Sequence, residues 1–412
     1  MGDRLSPPAA VNAYGSRLRE CARHAAGGRV GWLLLIVALA MPLLAACAPQ
    51  RHHEALLVLA DAAAGEGPSR LKETTPSPRR QAIAFDLEGR VHSGDLYLPA
   101  DAEPAAGIVL APGVVPEGKD EPRLVAFATT LARARFAVLV PDLPGYRQLR
   151  IHPSDARIVA DAFAYLAGRA ELAPAGRAGL AAFSYGVGPA LLAALEEDLR
   201  ERVRFVVGVG GYHDLTDAAR YLTTGYFRAE ERWQYLAPED YGKLVLMSTA
   251  RSYVEAGDAR VFDCMIERRL KDRAADLSDL AERLGPSGRA VYALAVNADR
   301  ERFAALYAAL PPAMRADMAA LSLHDKDLTR LRARLILMHG RGDNLIPWPE
   351  SAALAAAVPP SQARLYLLHS VLGHADLRFS HVLSWRFLTR ELPDIFRMWR
   401  AVDALVAERE AP

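Results

Sequence analysis

The sequence predicts an α/β fold, a mostly parallel sheet covered by helices on both faces and interrupted by a helical cap insertion. Three observations lead to it. Short apolar runs alternate with amphipathic helical segments between residues 107 and 209, which is how strands buried on both faces read. The alternation stops after Gly210-Gly211 for about 120 residues, and a helical segment rich in Arg, Asp and Glu takes its place. Strand character then returns at Leu335-Ile336-Leu337-Met338.

In order, residues 81–87 and 91–98 read as a hairpin around Glu88-Gly89-Arg90. Residues 107–111, 136–140, 178–183 and 204–209 read as strands. Between and after them, 123–135, 153–168 and 185–198 read as helices. The core thus has a first part at 81–211, a cap at 212–330 expected to be all-helical, and a second part at 331–412. The second part contains strands at 334–340 and 364–369, a helix at 348–358 and a long helical run at 380–410. The cap carries Tyr221, Tyr226, Phe227, Trp233, Tyr235, Tyr241 and Tyr253, more expected as packing groups than as a ligand pocket.

Lys plus Arg number 50 against 49 Asp plus Glu, so no global field draws the chain to nucleic acid. The N-terminus is more specific. Arg4, Arg17, Arg19, Arg23 and Arg29 precede an apolar stretch, residues 30–46, that ends in Leu44-Ala45-Ala46-Cys47. Basic flank, apolar segment and small residues form an export signal. A cysteine directly after Leu-Ala-Ala resembles a bacterial lipoprotein lipobox. That resemblance implies a signal peptide at 1–46, cleavage before a lipidated Cys47, and anchoring to the cell envelope. With Ala48 next, the implied address is the outer membrane facing the periplasm if the cell is Gram-negative. The alternative, an uncleaved span, is opposed by Pro42 and the small residues before Cys47. Residues 47–80, with Pro68, Pro76 and Pro78, are expected to be a tether in which His52 and His53 are solvated. Beyond Cys21 and Cys47, Cys264 has no partner, so neither disulfides nor a Cys/His zinc site is expected.

The chemistry concentrates at Ala182-Phe183-Ser184-Tyr185-Gly186, where an apolar strand turns into an Ala/Leu-rich helix around one hydroxyl. A serine is a weak nucleophile unless a base and an orienting acid accompany it. Asp343, in His339-Gly340-Arg341-Gly342-Asp343, and His374, in Gly373-His374-Ala375, follow in the order serine, acid, histidine. From about residue 81 onward the chain therefore resembles an α/β-hydrolase. Ala182 departs from the first glycine of the family's pentapeptide, and Pro112 stands where histidine is usual. Ser184 by itself also fits a helix N-cap, and Asp214, after the strand that precedes the cap, is a rival acid. His339 is expected to shape its loop.

The resemblance implies that His374 removes the Ser184 proton and returns it to the leaving group while Asp343 fixes the imidazole. The backbone N–H groups of Tyr185 and Val114 would hold the oxyanion, since Pro112 has no N–H and Gly113 permits close approach. The expected activity is cleavage of carboxylic esters or thioesters through an acyl-enzyme on Ser184, acting on a small-molecule or lipid ester. No metal, organic cofactor or nucleic acid is expected. An acyltransferase using the same triad and a non-catalytic envelope lipoprotein using the scaffold for binding are the alternatives.

Overall fold

The structure is a computed structural model and describes residues 49–373 and 384–410. The chain opens with helix α1 (Pro49–Ala64) and a short helix α2 (Arg70–Thr74). Strands β1 (Arg79–Leu87) and β2 (Arg90–Leu98) follow as an antiparallel hairpin, Leu87 pairing with Arg90. Its two turn residues, Glu88 and Gly89, both have positive φ, 53° and 81°, the backbone that suits a two-residue hairpin turn. Next come β3 (Ala106–Ala111), α3 (Pro122–Arg133), β4 (Phe136–Pro141) and α4 (Ser154–Ala167). They are followed by β5 (Ala178–Phe183), α5 (Val187–Leu195) and β6 (Phe205–Val209).

The cap holds α6 (Leu215–Thr224), the strands β7 (Tyr226–Ala229) and β8 (Arg232–Tyr235), α7 (Tyr241–Ala250), α8 (Ala256–Lys271), α9 (Pro286–Ala295) and α10 (Pro312–Leu321). The chain returns through β9 (Arg334–Gly340), α11 (Pro349–Ala356), β10 (Ala363–Leu368) and α12 (Leu392–Ala407). The main sheet has eight strands in the order β1-β2-β4-β3-β5-β6-β9-β10. From β4 to β10 every neighbouring pair is parallel.

Side-chain alternation divides the core between the two faces. Ile108, Leu110, Val138, Val140, Phe205 and Ile336 point to Leu124 and Leu131 of α3, Val58 of α1 and Leu405 of α12. Val109, Leu139, Leu180, Val206 and Leu337 point to Phe163 and Leu166 of α4, Leu191 of α5 and Leu354 of α11. The cap has its own core of Phe262, Met265, Leu294, Phe303 and Met314, continuous with Tyr146, Tyr185 and Tyr212 at the top of the sheet.

Three expectations are corrected. Residues 49–78 are not an extended tether: Ala55, Leu56, Val58 and Leu59 of α1 are buried, against Trp399, Ile395 and Val406 on one side and the sheet helices on the other. The apolar face of residues 55–59 needed a partner more than three hundred residues away to be recognisable as core. Asp61, fully buried, fastens the helix by accepting from Lys72 Nζ (2.6 Å), Thr130 Oγ1 (2.6 Å) and Ser69 Oγ. His52 is not simply solvated, because its Nδ1 lies 2.8 Å from Asp403 Oδ1. The cap is also not all-helical, since β7 and β8 form a separate hairpin. Residues 1–48, including Cys47 and the apolar stretch, lie outside the described residues. Among those described, no helix is long and apolar enough to cross a membrane.

The packing of α1 predicts a stability difference. Leu56, Val58 and Leu59 are each worth about 1.5–3 kcal/mol when buried. A chain starting at Gln81 should melt at least ~5 °C below one starting at Ala48. Equal melting temperatures by calorimetry would mean that α1 is only an appendage.

Candidate active site

Ser184 sits one residue beyond β5 with φ 55°, left-handed backbone on a residue that is not glycine. Such a conformation costs about 1–3 kcal/mol and persists only where the surroundings enforce it. Here the enforcement is steric. A Cβ at Gly186 would lie 2.7 Å from the Pro112 carbonyl oxygen, so only glycine lets the elbow close against the loop after β3. Ala182, paired with Gly208 in the sheet, is 2% exposed and fits where the family pattern has glycine. A side chain at Gly188 would run into the Tyr212 hydroxyl, which itself donates to Leu321 O (3.0 Å).

The loop after β3 brings Val114 to this turn. Val114 and Tyr185 belong to one buried apolar cluster where this loop meets the turn. The Val114 carbonyl accepts from Tyr241 Oη of the cap at 2.9 Å. Tyr241 also lines a cleft of about 310 Å³ in the cap, together with Leu244, Met247, Leu277, Tyr292 and Arg269. Of the other cap aromatics, Tyr221 and Phe227 pack together under the hairpin, whereas Trp233 and Tyr235 are exposed.

Asp343 follows β9, which is separated from β5 by β6 alone. The two strand ends are therefore two strand spacings, about 10 Å, apart. The carboxylate is 1% exposed, and its Oδ1 accepts from Leu345 N (2.9 Å) and Ile346 N (3.0 Å). His339 is fully buried. Its Nδ1 lies 2.7 Å from Ser351 Oγ, and its Nε2 lies 2.9 Å from Ile346 O and 3.3 Å from Asp343 Oδ2. It braces the loop that carries the acid. The rival acid, Asp214, caps α6, accepting from Thr216 N (2.7 Å) and Ser322 Oγ (3.3 Å). His374 lies outside the described residues. The chain leading to it, Leu372-Gly373, packs against Gly340 at the end of β9, where a Cβ would collide with the Leu372 oxygen and lie 3.2 Å from that of Gly373.

Two buried acids escaped the sequence reading. Glu350, 7% exposed, accepts from His213 N and Asp214 N, both at 2.8 Å, and burial pushes its carboxyl up to about 7. Asp155, at the start of α4, accepts from His152 N (2.8 Å), and burial raises its carboxyl to about 7 as well. It lies under a cluster of tyrosines. Tyr185 stacks on Tyr212 and meets Tyr146 edge-on, and the buried hydroxyls of Tyr146 and Tyr185 find no partner among the described residues. Neither acid stands in a motif; each is identified by burial alone.

No protein-family model and no curated protein sequence matches the chain. Solved structures do. A candidate hydrolase from Legionella pneumophila aligns at 12% identity over 83% of this chain and 94% of its own, with a TM-score of 0.51. An esterase from Pyrobaculum calidifontis aligns at 14% identity over 99% and 98%, TM-score 0.43. The esterase domain of a Rhodothermus marinus protein does so at 16% over 80% and 98%, TM-score 0.41. The strand order, the elbow after β5 and the first of these alignments agree that the chain has the α/β-hydrolase fold.

Asp155 makes stability depend on pH. Its folded value exceeds the ordinary 3.8, so between about pH 4 and pH 7 the folded state holds a proton that the unfolded state has lost, and stability from this group falls as pH rises. Asp155→Asn keeps an acceptor for His152 N and removes the titration. The melting temperature of the variant relative to wild type should therefore climb across that window. A constant difference from pH 4 to pH 7 would contradict the buried acid.

Proposed function

We propose that the chain is a serine hydrolase that cleaves small-molecule carboxylic esters through an acyl-enzyme on Ser184. The observation that carries this reading is the left-handed Ser184 at the C-terminal end of β5. That backbone lifts the hydroxyl away from the helix it precedes, whereas a serine serving only as an N-cap has extended backbone.

In the proposed reaction His374 takes the Ser184 proton as Oγ attacks the ester carbonyl. Asp343, held rigid by the Leu345 and Ile346 N–H groups, orients the imidazole and stabilises its charged form. The carbonyl oxygen, now carrying negative charge, moves between the N–H groups of Val114 and Tyr185. The proton on His374 passes to the departing alcohol. Water then repeats the cycle on the acyl-serine and releases the acid. The Tyr241–Val114 hydrogen bond ties the cap to the oxyanion loop. The lipobox-like sequence before Ala48 supports a mature chain beginning at a lipidated Cys47 and held at the envelope.

A fluorophosphonate probe should label the wild-type chain at Ser184. Ser184→Ala should abolish labelling and lower kcat on short aryl esters at least ~10³-fold, with the melting temperature preserved. Labelling that survives in Ser184→Ala, or a wild-type chain that resists the probe, would refute the assignment. At residue 113 a Cβ meets nothing within 4 Å, so Gly113→Val should melt within ~2 °C of wild type. Its turnover should still fall at least ~tenfold, because the isopropyl group fills the open space beside the Val114 N–H that the substrate carbonyl would enter. Unchanged activity on every accepted ester would remove Val114 from the site.

A further inference from the structure

The start of α12, the π-turn before it (Phe387–Glu391) and the residues leading into that turn carry an apolar strip left exposed by the described residues. Trp385 is 80% exposed, Leu388 47% and Phe396 38%. Trp385 and Leu388 stand three residues apart, and Phe396 follows on α12 beyond the π-turn. Four arginines surround them, two of them paired: Arg386 with Glu391 at 3.4 Å and Arg397 with Asp394 at 2.8 Å. Arg386, Arg390 and Arg400 are exposed and Arg397 is half-buried, whereas the acids of the same run, Glu391 and Asp394, are buried at 1% and 0%. Arg390 and Arg400 form no ion pair among the described residues.

The strip also lies beside the beginning of α1. The Phe396 ring meets Trp399 at 5.3 Å, Trp399 meets the His52 ring at 5.4 Å, and Trp399 Nε1 donates to His52 O at 3.0 Å. His52 is one turn from Pro49, and the two residues from Cys47 to Pro49 span at most about 7 Å. With α1 packed rather than extended, a terminus anchored at Cys47 holds this side of the domain against the bilayer.

We propose that Trp385, Leu388 and Phe396 form a lipid-docking face. The aromatic and aliphatic side chains enter the headgroup boundary while the surrounding arginines meet anionic headgroups. The proposal uses the lipid anchor proposed for Cys47 to explain orientation, but the surface binds lipid without it. Exposed apolar strips rimmed by charge are otherwise a liability in a monomer. A second copy of the chain is the competing occupant, disfavoured by the arginines that two such faces would bring together.

The test uses the unacylated mature chain from Ala48, which contains every element described, and flotation with phosphatidylethanolamine–phosphatidylglycerol vesicles. The wild-type chain should float with the vesicles and bind pure phosphatidylcholine vesicles more weakly. Trp385→Ser/Leu388→Ser/Phe396→Ser should lose at least ~tenfold in partitioning, with turnover of a soluble ester unchanged as the check on folding. Trp385→Ser, altering the most exposed of the three, should show part of the loss. Equal partitioning of wild type and triple variant, or a concentration-dependent dimer that the triple variant abolishes, would overturn the proposal. Because neither acylation nor ester cleavage is the readout, these failures are separate from failure of the lipid-anchor or hydrolase reading, which mass spectrometry of Cys47 and the fluorophosphonate probe decide.

Discussion

The left-handed backbone of Ser184 is the constraint around which the rest of the molecule is arranged. It costs free energy on its own, and the structure meets that cost with close contacts that only small residues allow. Gly186 admits the Pro112 carbonyl, and Gly188 admits the Tyr212 hydroxyl. The same contacts bring the loop after β3 beside the serine. The strained backbone and the close approach of that loop are thus two results of one packing arrangement. Pro112 fits it because proline keeps its carbonyl, and Ala182 because alanine is small enough for the turn.

The cap is tied to this arrangement through backbone atoms. Tyr241 donates to Val114 O, Tyr212 to Leu321 O and Ser248 to Gln148 O, while Ile151 N donates to Thr249 Oγ1. Each bond joins a loop at the strand ends to a cap helix or the chain beside it. Beneath them the tyrosine cluster and Asp155 form a buried polar layer in which two hydroxyls find no partner among the described residues. The cap therefore reaches the loop after β3 directly and the turn at Ser184 through the ring of Tyr185.

The sheet was readable because parallel strands buried on both faces leave unbroken apolar runs, and β3, β4, β5, β6 and β9 each appear as one. The turn after β5 was readable because a strand that passes sharply into a helix demands small residues at fixed positions, as at Ala182, Gly186 and Gly188. The β7–β8 hairpin was not: its strands are four residues each, too short to reveal a period of two. Helix α1 was missed because its apolar face answers to α12 and its acid, Asp61, to Lys72 and Thr130, so its role is visible only in three dimensions. Glu350 and Asp155 were missed for a related reason. Their importance comes from burial, and an isolated carboxylate in a sequence says nothing about the solvent around it.

The most direct test is a crystal structure of the chain after reaction with an aryl phosphonate. The account predicts a phosphonyl group on Ser184 Oγ, with one oxygen about 3 Å from both the Val114 and Tyr185 nitrogens. The His374 imidazole should lie between Oγ and the Asp343 carboxylate. An unmodified serine, or an adduct whose imidazole faces away from both groups, would contradict it.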